Sequence, residues 1–207
     1  NAFATLTADA ARTAALQADR ELSRGHRRVT LHGIPIGLKD IYETAGVRTA
    51  GQSRLLDDHV PTIDAPTVAK LREAGAVVLG KLTTHEFATG AATAEQTFPP
   101  ARNPWNRERQ PGGSSSGAGA AIAAGFVAGA MGSDTSGSIR NPAGWCGVAG
   151  HKPTYGLLSR RGIFPLAPSF DTAGPMAWTA EDCALMLDVL AGHDPLDPAS
   201  ARTAAVD

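Results

Sequence analysis

Cysteine, lysine and net charge are all scarce in this chain of 207 residues. The two cysteines, Cys146 and Cys183, cannot build a disulfide framework. Each stands among apolar neighbours and is expected to be a buried thiol acting as a small hydrophobe. A reducing, cytoplasmic setting is therefore the default. Net charge is -1, so there is no electrostatic footprint for nucleic acid or an anionic membrane. No apolar run approaches the roughly 18 residues of a membrane span. No basic segment followed by an apolar stretch opens the chain as a secretory signal would. It begins at Asn1 rather than Met, so a trimmed N-terminus is expected, with any signal lost alongside it. What is present is 43% hydrophobic and 19% charged residues, the balance of a soluble globular protein rather than a disordered one. The length suffices for one domain with a sizeable core.

Residues 7 to 24 read as an amphipathic helix, with Thr7 as N-cap and Gly25 just past the end. Leu31 to Tyr42 is apolar but interrupted by Gly33, Pro35 and Gly37, and reads as irregular strand or loop crossing a core. Ala65 to Ala74 predicts a helix with Pro66 in its first turn. The run Ala76 to Gly80 follows as a buried strand. Phe98 to Gly113 is a polar, proline-rich loop. A helix of small residues spans Ser115 to Ala124, and a short strand is expected over Phe126 to Met131. Thr179 to Leu190 predicts a helix opened by a Thr179–Asp182 capping box and ended at Gly192. There is no repeat and no internal linker. The alternation of helix and strand implies a layered α/β domain.

Two serine-glycine islands stand out. In the first, Gly112-Gly113-Ser114-Ser115-Ser116-Gly117, the pattern G-x-S-x-G centres on Ser115. A nucleophile elbow needs a strand directly before it, and Asn106 to Pro111 is none. No Gly-Lys-Ser/Thr follows to make a phosphate loop. Ile122 stands where a dinucleotide fingerprint needs Gly or Ala. A loop capping a helix is the plain alternative. The second island is Ser133-Asp134-Thr135-Ser136-Gly137-Ser138-Ile139-Arg140. Successive backbone N–H groups in such a turn can form an anion nest. A serine at its end suits an acyl-transfer nucleophile beside an oxyanion cradle. Asp134 and Arg140 are expected to pair and fix the loop. A small-residue turn without chemistry is the alternative there.

Lysine occurs only at positions 39, 70, 81 and 152. Lys39 lies inside the apolar run Ile34 to Ile41. If buried, it loses proton affinity and becomes a base near neutral pH. If structural, it pairs with neighbouring Asp40. His85-Glu86 begins a zincin-like motif, but Thr89 stands where the second ligand belongs. Of the six histidines, His151 is the best candidate for a Ser-His-Asp arrangement.

These elements, in this order, resemble the amidase signature family. The matching stretches are His32 to Asp40, Gly75 to Lys81, Glu86 to Ala88, Gly112 to Gly117, Gly132 to Arg140, Cys146 to Val148 and Lys152 to Gly156. The resemblance covers nearly the whole chain. It implies a catalytic lysine, bridging serine and nucleophilic serine at Lys39, Ser114 and Ser138, with a cis peptide before Ser114. It also implies oxyanion and substrate contacts at Gly113, Thr135, Ser136 and Gly137, and neither cofactor nor metal. Ser136 stands where glycine is usual, which would be strained if that site needs a positive φ. Family members run roughly twice this length. Residues 1 to 207 are accordingly expected to be part of an amidase-signature domain, a mixed β-sheet flanked by helices, without the family's extreme N-terminus and C-terminal half.

Three readings of function stay open on these grounds. One is an amidohydrolase cleaving a small carboxylic amide through a Ser138 acyl-enzyme. Another is a glutamine-hydrolysing amidotransferase component that passes ammonia to a mischarged tRNA; the stretch Phe164 to Asp171 looks more like stand-alone amidases. The last is an inactive remnant or interaction module. The expected partner is a small-molecule amide, with no direct nucleic-acid or membrane contact and room for a homo-oligomer.

Overall fold

The computed structural model describes residues 1–90 and 99–202. The strands are β1 (Phe3–Leu6), β2 (Pro35–Lys39), β3 (Val77–Leu82), β4 (Gly129–Asp134), β5 (Ala149–Gly150) and β6 (Thr172–Ala177). The α-helices are α1 (Ala8–Ser23), α2 (Pro66–Glu73), α3 (Ser116–Ala123), α4 (Arg140–Cys146) and α5 (Ala180–Leu190). The six strands of the described residues form one mixed sheet in the order β1-β3-β2-β4-β6-β5. β2 is central and parallel to both β3 and β4. The outer pairs β1–β3, β4–β6 and β5–β6 are antiparallel.

Both sheet faces are covered, so the middle strands are mostly apolar or small rather than alternating, and the exceptions, Lys39, Lys81 and Asp134, are buried near their carboxyl ends. β4 and β6 are buried at every position. Side chains still alternate between two cores. Met131 joins Ile36, Leu38, Val68, Leu71 and Leu187 beneath α2 and α5. Its neighbour Ala130 joins Leu82, Ala121, Ile122, Ile139 and Met176 beneath α3 and α4. α3 lies almost on the sheet: a Cβ on Gly117 would stand 2.4 Å from the Ala2 carbonyl and 2.5 Å from the Thr83 nitrogen. Only small residues permit that approach.

Local chemistry sets most boundaries. Thr179 accepts from the Asp182 N–H while the Asp182 carboxylate accepts from the Thr179 N–H, the expected capping box. Pro66 opens α2, and Gly25, at φ +75°, follows α1. Thr7 does not cap α1 through its side chain; its hydroxyl donates to the Val78 carbonyl at 3.0 Å and ties the helix start to β3. The strand expected at Phe126 to Met131 lies three residues later. Gly125 turns at φ +71° and Phe126 is exposed, so pairing begins only at Gly129. It continues through Ser133 and Asp134 because their polar groups are satisfied inside. Part of the Phe98 to Gly113 loop, Phe98 itself, lies outside the described residues. Cys146 and Cys183 are free, buried thiols, and burial pushes both up to about 11.

Candidate active site

In open α/β sheets, ligands gather beyond the carboxyl ends of the parallel strands. Lys39 is the last residue of the central β2. Beside it, β4 ends at Asp134 and turns into α4, carrying Thr135 to Ser138. The Gly112–Ser115 segment enters from the other side and leads into α3. Three distant stretches therefore meet at one end of the sheet.

Lys39 is fully buried. Its Nζ donates to the Ser114 hydroxyl at 2.7 Å and to the Ser133 hydroxyl at 2.8 Å. Burial strips its water and lowers its pKa to about 7, against the opposing pull of Asp134 and Asp171. Near neutral pH much of it is then an uncharged amine with a free lone pair. Asp40 is not its partner, contrary to the structural alternative for Lys39. The Asp40 carboxylate instead faces Lys81 Nζ at 3.8 Å. Lys81 is also fully buried and donates to the Tyr42 carbonyl and the Thr49 hydroxyl. β2 ends at Lys39 and the chain turns at Asp40, where the Ile41 and Tyr42 N–H groups fold back onto the Lys39 carbonyl, so the two side chains meet different partners.

The Gly113–Ser114 peptide is cis. Its surroundings hold it on several sides. The Ser114 carbonyl accepts from the His85 N–H at 3.1 Å and the Thr84 hydroxyl at 2.9 Å. The Gly113 N–H donates to Asn141 Oδ1 at 3.0 Å. A Cβ on Gly113 would stand 2.1 Å from the His85 ring, so glycine is required there. Burial, opposed by the Gly90 carbonyl and aided by Lys39, lowers the His85 pKa.

Asp134 fixes the turn that follows β4. It accepts from the backbone N–H groups of Gly137, Ile139 and Arg140 at 2.7, 3.1 and 3.3 Å. The Arg140 guanidinium adds two bonds at 2.9 and 3.0 Å, the expected pair. Burial disfavours its charge, but Arg140 and the three N–H groups outweigh that and hold the carboxyl below its ordinary value. The positive φ in this turn falls on Gly137, at +132°, and not on Ser136. Serine at 136 is therefore unstrained. Gly137 and Gly113 spend their N–H groups on Asp134 and Asn141, so neither donates to a bound oxyanion in this arrangement. The N–H groups of Thr135, Ser136 and Ser138 have no partner among the described residues.

Ser138 is half-buried, and its carbonyl accepts from the Ser115 N–H at 3.1 Å. That bond sets Ser138 against the segment bearing Ser114. Its hydroxyl has no hydrogen bond among the described residues. Ser115 is fully buried, with its hydroxyl between the backbone N–H and carbonyl of Ser133 at 3.3 Å each, which excludes it as an elbow nucleophile. His151 is exposed and bonds neither Ser114 nor Ser138, which removes it as a triad base. Ser133 is the residue that sequence reasoning missed. No cluster of three His, Cys, Asp or Glu side chains fit for a metal occurs among the described residues.

The family model described as Amidase matches residues 1–207. The chain belongs to the amidase family. It is 50% identical over 207 residues to a glutamyl-tRNA(Gln) amidotransferase subunit of Geobacter metallireducens, covering all of this chain and 42% of that protein. The Moorella thermoacetica protein of the same name is 53% identical over 200 residues, covering 97% of this chain and 41% of that one. Among solved structures, peptide amidase from Stenotrophomonas maltophilia superposes with a TM-score of 0.90 at 42% identity, covering 100% of this chain and 43% of that chain. The glutamyl-tRNA(Gln) amidotransferase subunit from Thermotoga maritima gives 0.83 at 40% identity, covering 94% and 46%. The chain thus spans less than half the length of the relatives it matches. Its mixed sheet flanked by helices is the corresponding part of the amidase fold, and the amidase family comprises amide-cleaving enzymes built around a Ser-Ser-Lys set.

Proposed function

We propose that this chain carries the catalytic set of an amidohydrolase, with Lys39 as base, Ser114 as proton relay and Ser138 as nucleophile. The observation that carries the reading is the fully buried Lys39 amine, 2.7 Å from the Ser114 hydroxyl. A pKa of about 7 suits a base operating at neutral pH. Neutral Lys39 takes the Ser114 proton as Ser114 takes that of Ser138. The Ser138 oxygen then forms a bond to the amide carbon, and the carbonyl electrons move onto its oxygen. The N–H groups left free in the 135–138 turn face that oxyanion, each donor worth about 2.7–4 kcal/mol. Collapse breaks the C–N bond, and the proton held by Lys39 returns through Ser114 to the leaving amine. Water then splits the ester and regenerates Ser138.

Residues 1 to 207 are read as part of one amidase domain, in a cytoplasmic setting and with room for a homo-oligomer. Ammonia release from primary amides tests the reading. Lys39→Ala and Ser138→Ala are expected to abolish turnover while circular dichroism stays unchanged, and a fluorophosphonate is expected to label Ser138. Amide hydrolysis retained by Ser138→Ala would overturn it. The likeness to the amidotransferase proteins supports a second reading, in which glutamine is the amide donor. Ammonia release from glutamine that depends on a partner protein would favour it.

A further inference from the structure

Beside the catalytic set lies a cavity of about 260 Å³ whose lining includes Ser133 and Thr135. Ser133 is the residue bound to the Lys39 amine, and Thr135 opens the turn bearing Ser138. Its apolar lining is Ile163, Phe164, Pro165, Leu166, Ala173 and Leu196, and the charged Arg160, Arg161, Asp171 and Asp197 also border it. Resting on the amidohydrolase reading above, we propose that this cavity receives the apolar part of an uncharged aliphatic carboxamide, so that such amides are preferred over glutamine.

The wall is preformed. Asp171 accepts from the Thr135 hydroxyl at 2.6 Å and from the Leu166 and Ala167 N–H groups at 2.9 and 3.0 Å. One carboxylate thus ties the apolar wall to the nucleophile turn. The Phe164 ring is wedged against Phe87, with centroids 6.3 Å apart, and against His59 at 6.1 Å. An apolar group entering here replaces water without reorganising the wall, and preorganisation of this kind strengthens binding.

The charges around the cavity are committed to one another. Arg161 pairs with Asp194 at 3.0 Å. Arg160 stacks over Tyr155 at 4.6 Å, donates to the Pro168 carbonyl and faces Asp197 at 3.9 Å; its unpartnered Nε is buried. Two arginines face three aspartates, Asp171, Asp194 and Asp197. That balance offers no net attraction to the α-carboxylate of glutamine. The α-ammonium would meet the apolar lining, and the nearby carboxylates already accept from Thr135, Ser159, Arg161 and backbone N–H groups. A neutral alkyl group meets neither difficulty.

The test uses acetamide, propanamide, butanamide, hexanamide and L-glutamine as substrates, reading kcat/KM from ammonia release. Each added methylene is expected to raise kcat/KM about fourfold, with glutamine well below hexanamide. Leu166→Ser is expected to cut the hexanamide-to-acetamide ratio about tenfold, and Leu166→Met to restore most of it. Ligand-observed NMR with the Ser138→Ala protein reads binding without turnover, and hexanamide is expected to bind more tightly than glutamine. Amide hydrolysis that ignores chain length, or that favours glutamine, overturns the cavity assignment and leaves the amidohydrolase reading standing. Chain-length-dependent binding without ammonia release from the active protein does the reverse.

Discussion

Replacing Lys39 with methionine tests how a buried amine is held near neutrality. Burial lowers its pKa from 10.5 to about 7. Between those values the unfolded chain holds a proton that the folded protein lacks. Wild-type stability therefore rises with pH across that window, by about 1.4 kcal/mol per pH unit. At pH 7 and below, the whole penalty is present, on the order of 5 kcal/mol. Above pH 10.5 it is gone. Methionine fills similar space without the charge, and leaves the Ser114 and Ser133 hydroxyls without their donor at about 1 kcal/mol each. Lys39→Met is thus expected to be more stable than wild type at pH 7, with the advantage shrinking toward pH 10. Lys81, lowered to about 8 by burial, adds a slope of its own, which cancels because both proteins retain it. Urea unfolding at pH 7, 8, 9 and 9.5 measures the difference directly. A difference that does not change with pH would refute the depressed pKa. The catalytic counterpart is an acidic limb in kcat/KM near pH 7, since only the neutral amine accepts a proton.

Asp171→Asn removes a charge that raises the Lys39 pKa, so the acidic limb of kcat/KM is expected to move to lower pH; an unmoved or raised limb counts against that coupling. The same change weakens the tie between Thr135 and Leu166, and a loss of about 1–2 kcal/mol is expected in denaturant unfolding. Gly117→Ala places a methyl against the Ala2 and Thr83 backbones. Overpacking should outweigh the helix-propensity gain of about 1 kcal/mol and leave a net loss of about 1–3 kcal/mol, so an unchanged urea midpoint would show that α3 can lift off the sheet. Thr179→Ala deletes one half of the α5 capping box and is expected to cost about 1 kcal/mol, read as a lowered Tm.

How far the sequence speaks for this site depends on whether a residue's neighbours in the chain are its neighbours in space. α1, α2, α3 and α5 were legible because periodicity, Pro66 and the Thr179–Asp182 box are local signals. α4 was not: Pro142 and Gly144 read as breakers, yet Pro142 is the third residue of the helix, where its missing N–H would have had no helical partner. β6 was hidden for the same reason. Gly174 and Pro175 argue against a strand, and Gly174 is needed because a Cβ would meet the His151 carbonyl at 2.2 Å. In the site, Lys39 stood out as a charge inside an apolar run, and Asp134 and Arg140 as charges around a turn of small residues. Ser133 carried no such contrast, being one serine among several beside Asp134. Its hydroxyl meets Lys39 only because β4 lies against β2, and the two residues are 94 apart in the chain. The Asp40 alternative failed on similar grounds: sequence adjacency suggested an ion pair, but the chain turns at Asp40 just past β2, and Lys81, one strand away, is the lysine its carboxylate faces. What the chain could not announce was therefore the second partner of each buried lysine. Those partners separate the two amines: burial lowers Lys39, facing two hydroxyls, to about 7, and Lys81, facing a carboxylate, only to about 8.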